Sequence, residues 1–270
     1  DLDDEDFTLV VDKANYFAFK IDDIEEAHSH VNFESLASDR AGYRLRDQFD
    51  QEIFGYMSGF KQSALHGIAD TARVAGDKSG TDPVTVADNG LLASMLVARN
   101  SFVSGGVATD SIATHPDGTT GEATPLQVLN RMARLLDQQN VDSQGRWLIL
   151  DPVFMEVLKD EDSRLFNADF GGGGLQHGQV STQIHGFQVY QSNNLPSVGT
   201  GPSFAGTNSS SNYGVIVAGH SSAVATAEQI NKTETYRDPD SFADIVRGMH
   251  LYGRKILRPE ALVNAIYHLA

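Results

Sequence analysis

The sequence predicts an α+β chain: one long helix, a few short ones, and sheets that do not alternate with them in a regular βαβ order. Three observations predict it. Leu45, Phe49, Ile53 and Met57 recur every four residues inside a stretch without proline, which is a helical period. Between residues 124 and 218, helix-start signals alternate with short apolar runs such as Trp147–Leu150 and Tyr213–Ala218. Two extended stretches, Phe242–Tyr252 and Leu262–His268, close the chain.

The elements follow in order. The opening run Asp1, Asp3, Asp4, Glu5 and Asp6 reads as a solvated end, because carboxylates adjacent in sequence repel rather than converge. From Phe7 to Ile21 the residues favour extended structure. Phe17, Phe19 and Ile21 alternate with Tyr16, Ala18 and Lys20, so both faces carry apolar groups and both are expected to touch protein. The long helix is expected from Phe33 to about Gly59, with Asn32 as its cap. Its apolar stripe is flanked by Phe54 and Phe60, and Arg40, Arg44, Asp47, Gln51 and Lys61 lie opposite. At 1.5 Å rise per residue it spans about 40 Å, a spine for a sheet to pack on.

Residues 76–89 and 105–121 are rich in Gly, Ser, Thr and Asp and read as loops, with a short apolar helix expected between them over Gly90–Arg99. Thr124-Pro125-Leu126-Gln127 combines a cap, a first-turn proline and a capping-box glutamine. The helix it starts carries Leu126, Leu129, Met132, Ala133 and Leu136 on one face. A turn with Asp142 and Gly145 leads to a buried strand at Trp147–Leu150, and Asp151-Pro152 caps a helix to about Lys159. The four glycines Gly171–Gly174 read as a loop. Phe187–Tyr190 is a strand before the turn Ser192–Pro196, Gly199–Asn212 a loop, Tyr213–Ala218 a strand, and Ser222–Ile230 either helical or extended.

Composition excludes several function classes. Asp and Glu number 36 against 20 Lys and Arg, a net charge of −16, which opposes duplex binding through phosphate neutralisation and attachment to an anionic membrane. The absence of cysteine excludes disulfides, thiolate nucleophiles and thiolate metal sites. No apolar run approaches the roughly 20 residues that span a bilayer.

Motifs for chemistry are equally sparse. Gly171–Gly174 lacks the Lys-Ser/Thr ending of a phosphate loop. Gly219-His220-Ser221-Ser222 resembles a nucleophile elbow, but Ala223 stands where the pattern needs glycine. His28 and His30, with Glu25 or Glu26, form a weak metal-ligand spacing, which reads as surface. Asn208 and Asn231 begin acceptor patterns for glycosylation, relevant only to a secreted eukaryotic chain. No catalytic, cofactor or metal residue is assigned, and an acidic hydrolase with an unrecognised carboxylate pair stays open as an alternative.

The order of segments carries a resemblance. Tyr16–Glu25, Ser38–Ile53, Trp147–Phe154, Gly186–Pro196, and Ile245–Gly248 through Arg258–Val263 together resemble the major capsid proteins of tailed bacteriophages, whose fold bacterial encapsulins share. The resemblance implies a capsid fold with a return strand of an extended β loop at 1–31. It implies a peripheral domain of spine helix and sheet at 32–75 and 236–270, and a mixed α/β axial domain at 76–235. Ahead of the return strand such chains carry an arm and an outgoing loop strand; this sequence opens near the return. The function implied is a non-enzymatic shell of hexamers and pentamers around double-stranded DNA, with no cofactor and no membrane partner. Assembly in the host cytoplasm and portal, scaffolding and decoration partners are implied with it. An encapsulin-like compartment is the alternative of the same fold. Phe17, Phe19, Leu45, Phe49, Ile53 and Met57 are the structural and interface candidates.

Overall fold

A computed structural model describes residues 8–22, 33–59, 91, 95–102, 125–158, 183–198 and 213–269. Asn32, the His28/His30 pair, the opening acidic run, Gly171–Gly174 and the loop expected over 199–212 lie outside the described residues, as do Phe60 and Lys61. Two compact units partition the chain, residues 1–50 with 225–255 and residues 51–224 with 256–270.

In the first unit, β1 (Lys13–Asp22) pairs antiparallel with β9 (Ala243–Ile256), which lies beside β8 (Val224–Arg237) in a three-stranded sheet. Register is unbroken from Lys13 opposite Tyr252 to Asp22 opposite Ala243. The stretch Ser222–Ile230, open between helix and strand from its sequence, belongs to β8 from Val224 onward. The first helix, α1, runs from Phe33 to Ser58, close to its expected bounds. Phe49 meets the sheet through Tyr252 and His250, edge-on at centroid distances of 4.8 and 5.3 Å.

The second unit holds a mixed seven-stranded sheet of order β2 (Leu96–Phe102), β10 (Leu262–Leu269), β7 (Tyr213–His220), β3 (Arg146–Leu150), β5 (Phe187–Gln191), β4 (Gln183–Ile184), with β6 (Ser197–Val198) on the start of β7. The β10–β2 and β3–β5 pairs are parallel. Val215–Ala218, Leu148, Leu150 and Tyr267 are fully buried, as an apolar strand covered on both faces requires. Two helices belong to this unit, α2 (Pro125–Gln138) and α3 (Pro152–Leu158). On α2 the buried face is Leu129, Met132, Ala133 and Leu136, joined by Val128 and Pro125, while Leu126 is only half-buried.

One expectation is corrected. Within Gly90–Arg99, Leu96–Arg99 begin the strand β2 rather than continuing a helix. A short apolar run has no periodicity that separates helix from strand. The edge of β10 decides it, because it offers unpaired backbone groups that a parallel strand satisfies.

The end of α1 is set locally and then clamped. Gly59 takes φ +72° and its N–H donates to the Gly55 carbonyl at 2.9 Å, which closes the helix as a left-handed glycine does. The orphan carbonyls of Met57 and Ser58 each accept from Asn264 Nδ2 on β10 at 3.2 Å. Sequence reading missed Asn264: its signal, one polar residue in the apolar run Leu262–Tyr267, acquires meaning only when the helix end is beside it.

Candidate assembly surface

The two faces of the three-stranded sheet differ in kind. Along β1, burial alternates strictly: Asn15, Phe17, Phe19 and Ile21 face inward, while Ala14, Tyr16, Ala18 and Lys20 are exposed. On β9 the inward partners are Val246, Gly248, His250 and Tyr252, all buried. Pairing across an antiparallel register puts opposed residues on the same face. Tyr16 therefore sits beside Met249, Ala18 beside Arg247, and Ala14 beside Leu251 on the outer face.

Phe17 and Phe19 stack at 5.9 Å between centroids, and the Phe17 ring lies over Gly248, where an added Cβ would come within 2.4 Å of Cε1. Glycine at 248 is thus the condition for the phenylalanine to lie flat. Both rings remain half-buried in the lone subunit, and so do Leu45 and Phe49 on α1. Ile53 and Met57, lower on the same stripe, are buried in the second unit together with Tyr56.

The outer face is aromatic with a basic rim. Tyr16 is 80% exposed and Met249 41%. Arg247 lies 5.0 Å from the Tyr236 ring centroid and donates from Nε and Nη2 to Glu234 Oε2 at 3.2 and 2.8 Å. Lys232 also pairs with Glu234. Hydrogen bonds from Lys232 and then Arg247 lower the Glu234 carboxyl to about 2, so this carboxylate is ionised throughout the ordinary pH range. One carboxylate thus orients two cations, a local excess of one positive charge in a chain whose total charge is −16. Lys20 pairs with Asp238, tying the end of β1 to the β8–β9 turn.

The second unit holds one unusual carboxyl. Asp151 caps α3, its Oδ1 accepting the Phe154 N–H at 3.2 Å, and its Oδ2 accepts the Tyr267 hydroxyl. Burial raises it to about 6, against the hydrogen bond from Tyr267, which lowers it. The Tyr267 ring meets Phe154 edge-on at 5.1 Å, so the carboxyl joins helix cap and last strand.

The elbow-like Gly219–Ser222 segment is the end of β7 and the turn that follows it. His220 Nδ1 accepts the Ser222 N–H at 3.2 Å and lies 2.8 Å from Ser222 Oγ, while the Ala223 N–H donates to the His220 carbonyl at 3.0 Å. These bonds close the corner between β7 and β8. Among the described residues no three His, Asp or Glu side chains converge as a metal site, and no helix is long and apolar enough to cross a membrane.

The sequence profile of a family described as "Phage capsid protein" matches residues 5–265. No curated protein sequence matches the chain. Among solved structures, one from Mycobacterium phage Che8 is 21% identical with a TM-score of 0.61, over 96% of this chain and 71% of the other. The capsid structure of cyanophage P-SCSP1u is 18% identical with a TM-score of 0.62, over 97% and 73%. The capsid of Ralstonia phage GP4 is 14% identical with a TM-score of 0.62, over 96% and 74%.

Proposed function

This chain belongs to the phage capsid protein family, and on that premise we propose that it tiles an icosahedral shell, as hexamers and pentamers, around a double-stranded DNA genome. Membership makes it a major capsid protein, a structural component of the virion and not an enzyme. The family match over nearly the whole chain carries the reading, and the likeness of fold to phage capsid structures agrees with it.

In this reading residues 1–31 form the return strand of the extended loop, 32–75 and 236 onward the peripheral domain, and 76–235 the axial domain. Phe17, Phe19, Leu45 and Phe49, half-buried in the lone subunit, gain cover when copies meet; Ile53 and Met57 hold the helix to its own body. The shell forms in the host cytoplasm with portal and scaffolding proteins, and decoration proteins bind outside it. A net negative wall repels packaged phosphates over about a Debye length, roughly 8–10 Å at physiological salt.

The test is electron microscopy and sedimentation of the purified full chain under assembly conditions. Icosahedral shells with six- and five-fold clusters are expected; a chain that stays monomeric in every condition overturns the proposal. Particles filled with protein cargo instead of DNA favour the compartment alternative.

A further inference from the structure

The first unit displays a second exposed apolar group, away from the Tyr16–Met249 row. Phe242 stands at the tip of the β8–β9 hairpin with 79% of its surface exposed. The tip is not a loose loop. Asp238 Oδ1 accepts the Asp240 N–H at 3.1 Å and its Oδ2 accepts the Ser241 hydroxyl at 2.7 Å. The Asp238 N–H donates to the Ala243 carbonyl at 2.9 Å, and Lys20 holds the same carboxylate from β1. Proline at 239 fixes one more backbone angle. A large ring is therefore presented to solvent on a turn already ordered, so little conformational entropy remains to be lost when it binds.

The surroundings of the ring are acidic. Asp240 is exposed beside it, and Asp244, which pairs with Arg237 at 3.4 Å, follows it. The outer face of the same unit is the complement: Tyr16, Met249 and Tyr236, rimmed by Lys232 and Arg247.

We infer that the Asp238–Asp244 tip is an assembly knob, with Phe242 seated on the Tyr16–Met249 row of a second copy of this chain and Asp240 facing the Lys232–Arg247 rim. This rests on the shell-building function proposed above and adds to it which surfaces meet. Knob and row cannot meet within one subunit. Ala243 pairs with Asp22, and Tyr16 lies six residues further along β1, about 20 Å away at roughly 3.4 Å per residue. Since the two patches differ, the contact is head-to-tail, the type that closes into rings when its rotation permits.

The chain has no cysteine, so every bridge joins introduced residues, and each single variant, which can link only like positions, is the control for the 16–242 contact. A disulfide requires Cα atoms within about 7 Å, so Tyr16→Cys with Phe242→Cys cannot bridge inside one subunit. Oxidised shells of this double variant are expected to run as a ladder of covalent multimers on a denaturing gel. Assembled shells that yield only monomer overturn the inference, and so do links solely to a co-purifying polypeptide of different mass. In parallel, Phe242→Asp is expected to melt like the wild type and to lose assembled material about tenfold or more, as truncation of a central anchor does. Unchanged shell yield overturns the inference while leaving the shell-building function intact. Failure of the wild-type chain itself to assemble overturns that function, and the knob with it.

Discussion

In the second unit Leu148, Leu150, Phe154, Phe187, Val215 and Tyr267, on the seven-stranded sheet and α3, are closed off from solvent within one subunit. The three-stranded sheet leaves Tyr16 and Phe242 open on the outside, and Phe17, Phe19 and Phe49 only half-covered within. Polar organisation differs in the same sense. The larger sheet uses buried hydrogen bonds, Asp151 with Tyr267 and Asn264 with the end of α1; the smaller uses surface ion pairs, Lys20 with Asp238 and Arg247 with Glu234. One body encloses its large apolar side chains within the subunit, and the other leaves several open or half-covered, as the proposed assembly contacts require. A shell tile needs both: a part that does not change and a part that meets its neighbours.

The sharpest way to break this contrast is to compare two phenylalanines. Phe154→Ala, at a fully buried site, is expected to cost about 3–5 kcal/mol of subunit stability in denaturant titration. Phe17→Ala, at a half-covered site, is expected to cost roughly half as much in the lone subunit and to show its larger effect in shell yield. Equal losses in the monomer would sink the contrast.

Gly253→Ala comes next. Its Cβ would stand 2.4 Å from the Val10 carbonyl oxygen, a backbone atom that cannot rotate away. The expected loss is about 1–3 kcal/mol, as for other overpacked sites, read by thermal melting. A neutral result would mean that residues 8–12 lift easily from β9.

Asp151→Asn sharpens the contrast through pH. The folded carboxyl titrates at about 6 against an ordinary 3.8, so the folded chain holds this proton more tightly than the unfolded one. Stability from it is whole below about pH 4 and is lost as pH rises through 6. Asparagine should flatten that part of the pH–stability curve while still capping α3; an unchanged slope between pH 4 and 6 would refute the assignment.

The smallest effect belongs to the surface pairs. Glu234 and Asp238 are both lowered to about 2, so their contribution is present above ordinary carboxylate values and fades only as pH falls toward 2. Lys20→Met is expected to lower the melting temperature slightly at low salt and not at all at high salt, since exposed pairs are screened. A salt-independent loss would place that pair with the buried class.

Much of the fold was legible before any coordinates. The four-residue recurrence of Leu45, Phe49, Ile53 and Met57 located α1, because a helix of 26 residues repeats its signal often enough to be read. Asp151 and Pro152 marked α3, and Trp147–Leu150 and Phe187–Tyr190 marked two strands, because cap and β-propensity act within a few residues. The assembly surface was legible only in part. The double apolar character of β1 put forward Phe17 and Phe19 as interface candidates, but not Tyr16, the ring that remains exposed.

What the amino-acid order determined by itself were the quantities that depend on neighbours along the chain: helical period, caps, turn glycines, charge and the lack of cysteine. Tertiary structure alone decided that Leu96–Arg99 is strand, that Asn264 clamps the end of α1, and that Lys20, Asp238 and Phe242 form one braced tip. Each of these joins residues far apart in sequence, and a side chain's partner is set by where the backbone brings it, which no local pattern encodes.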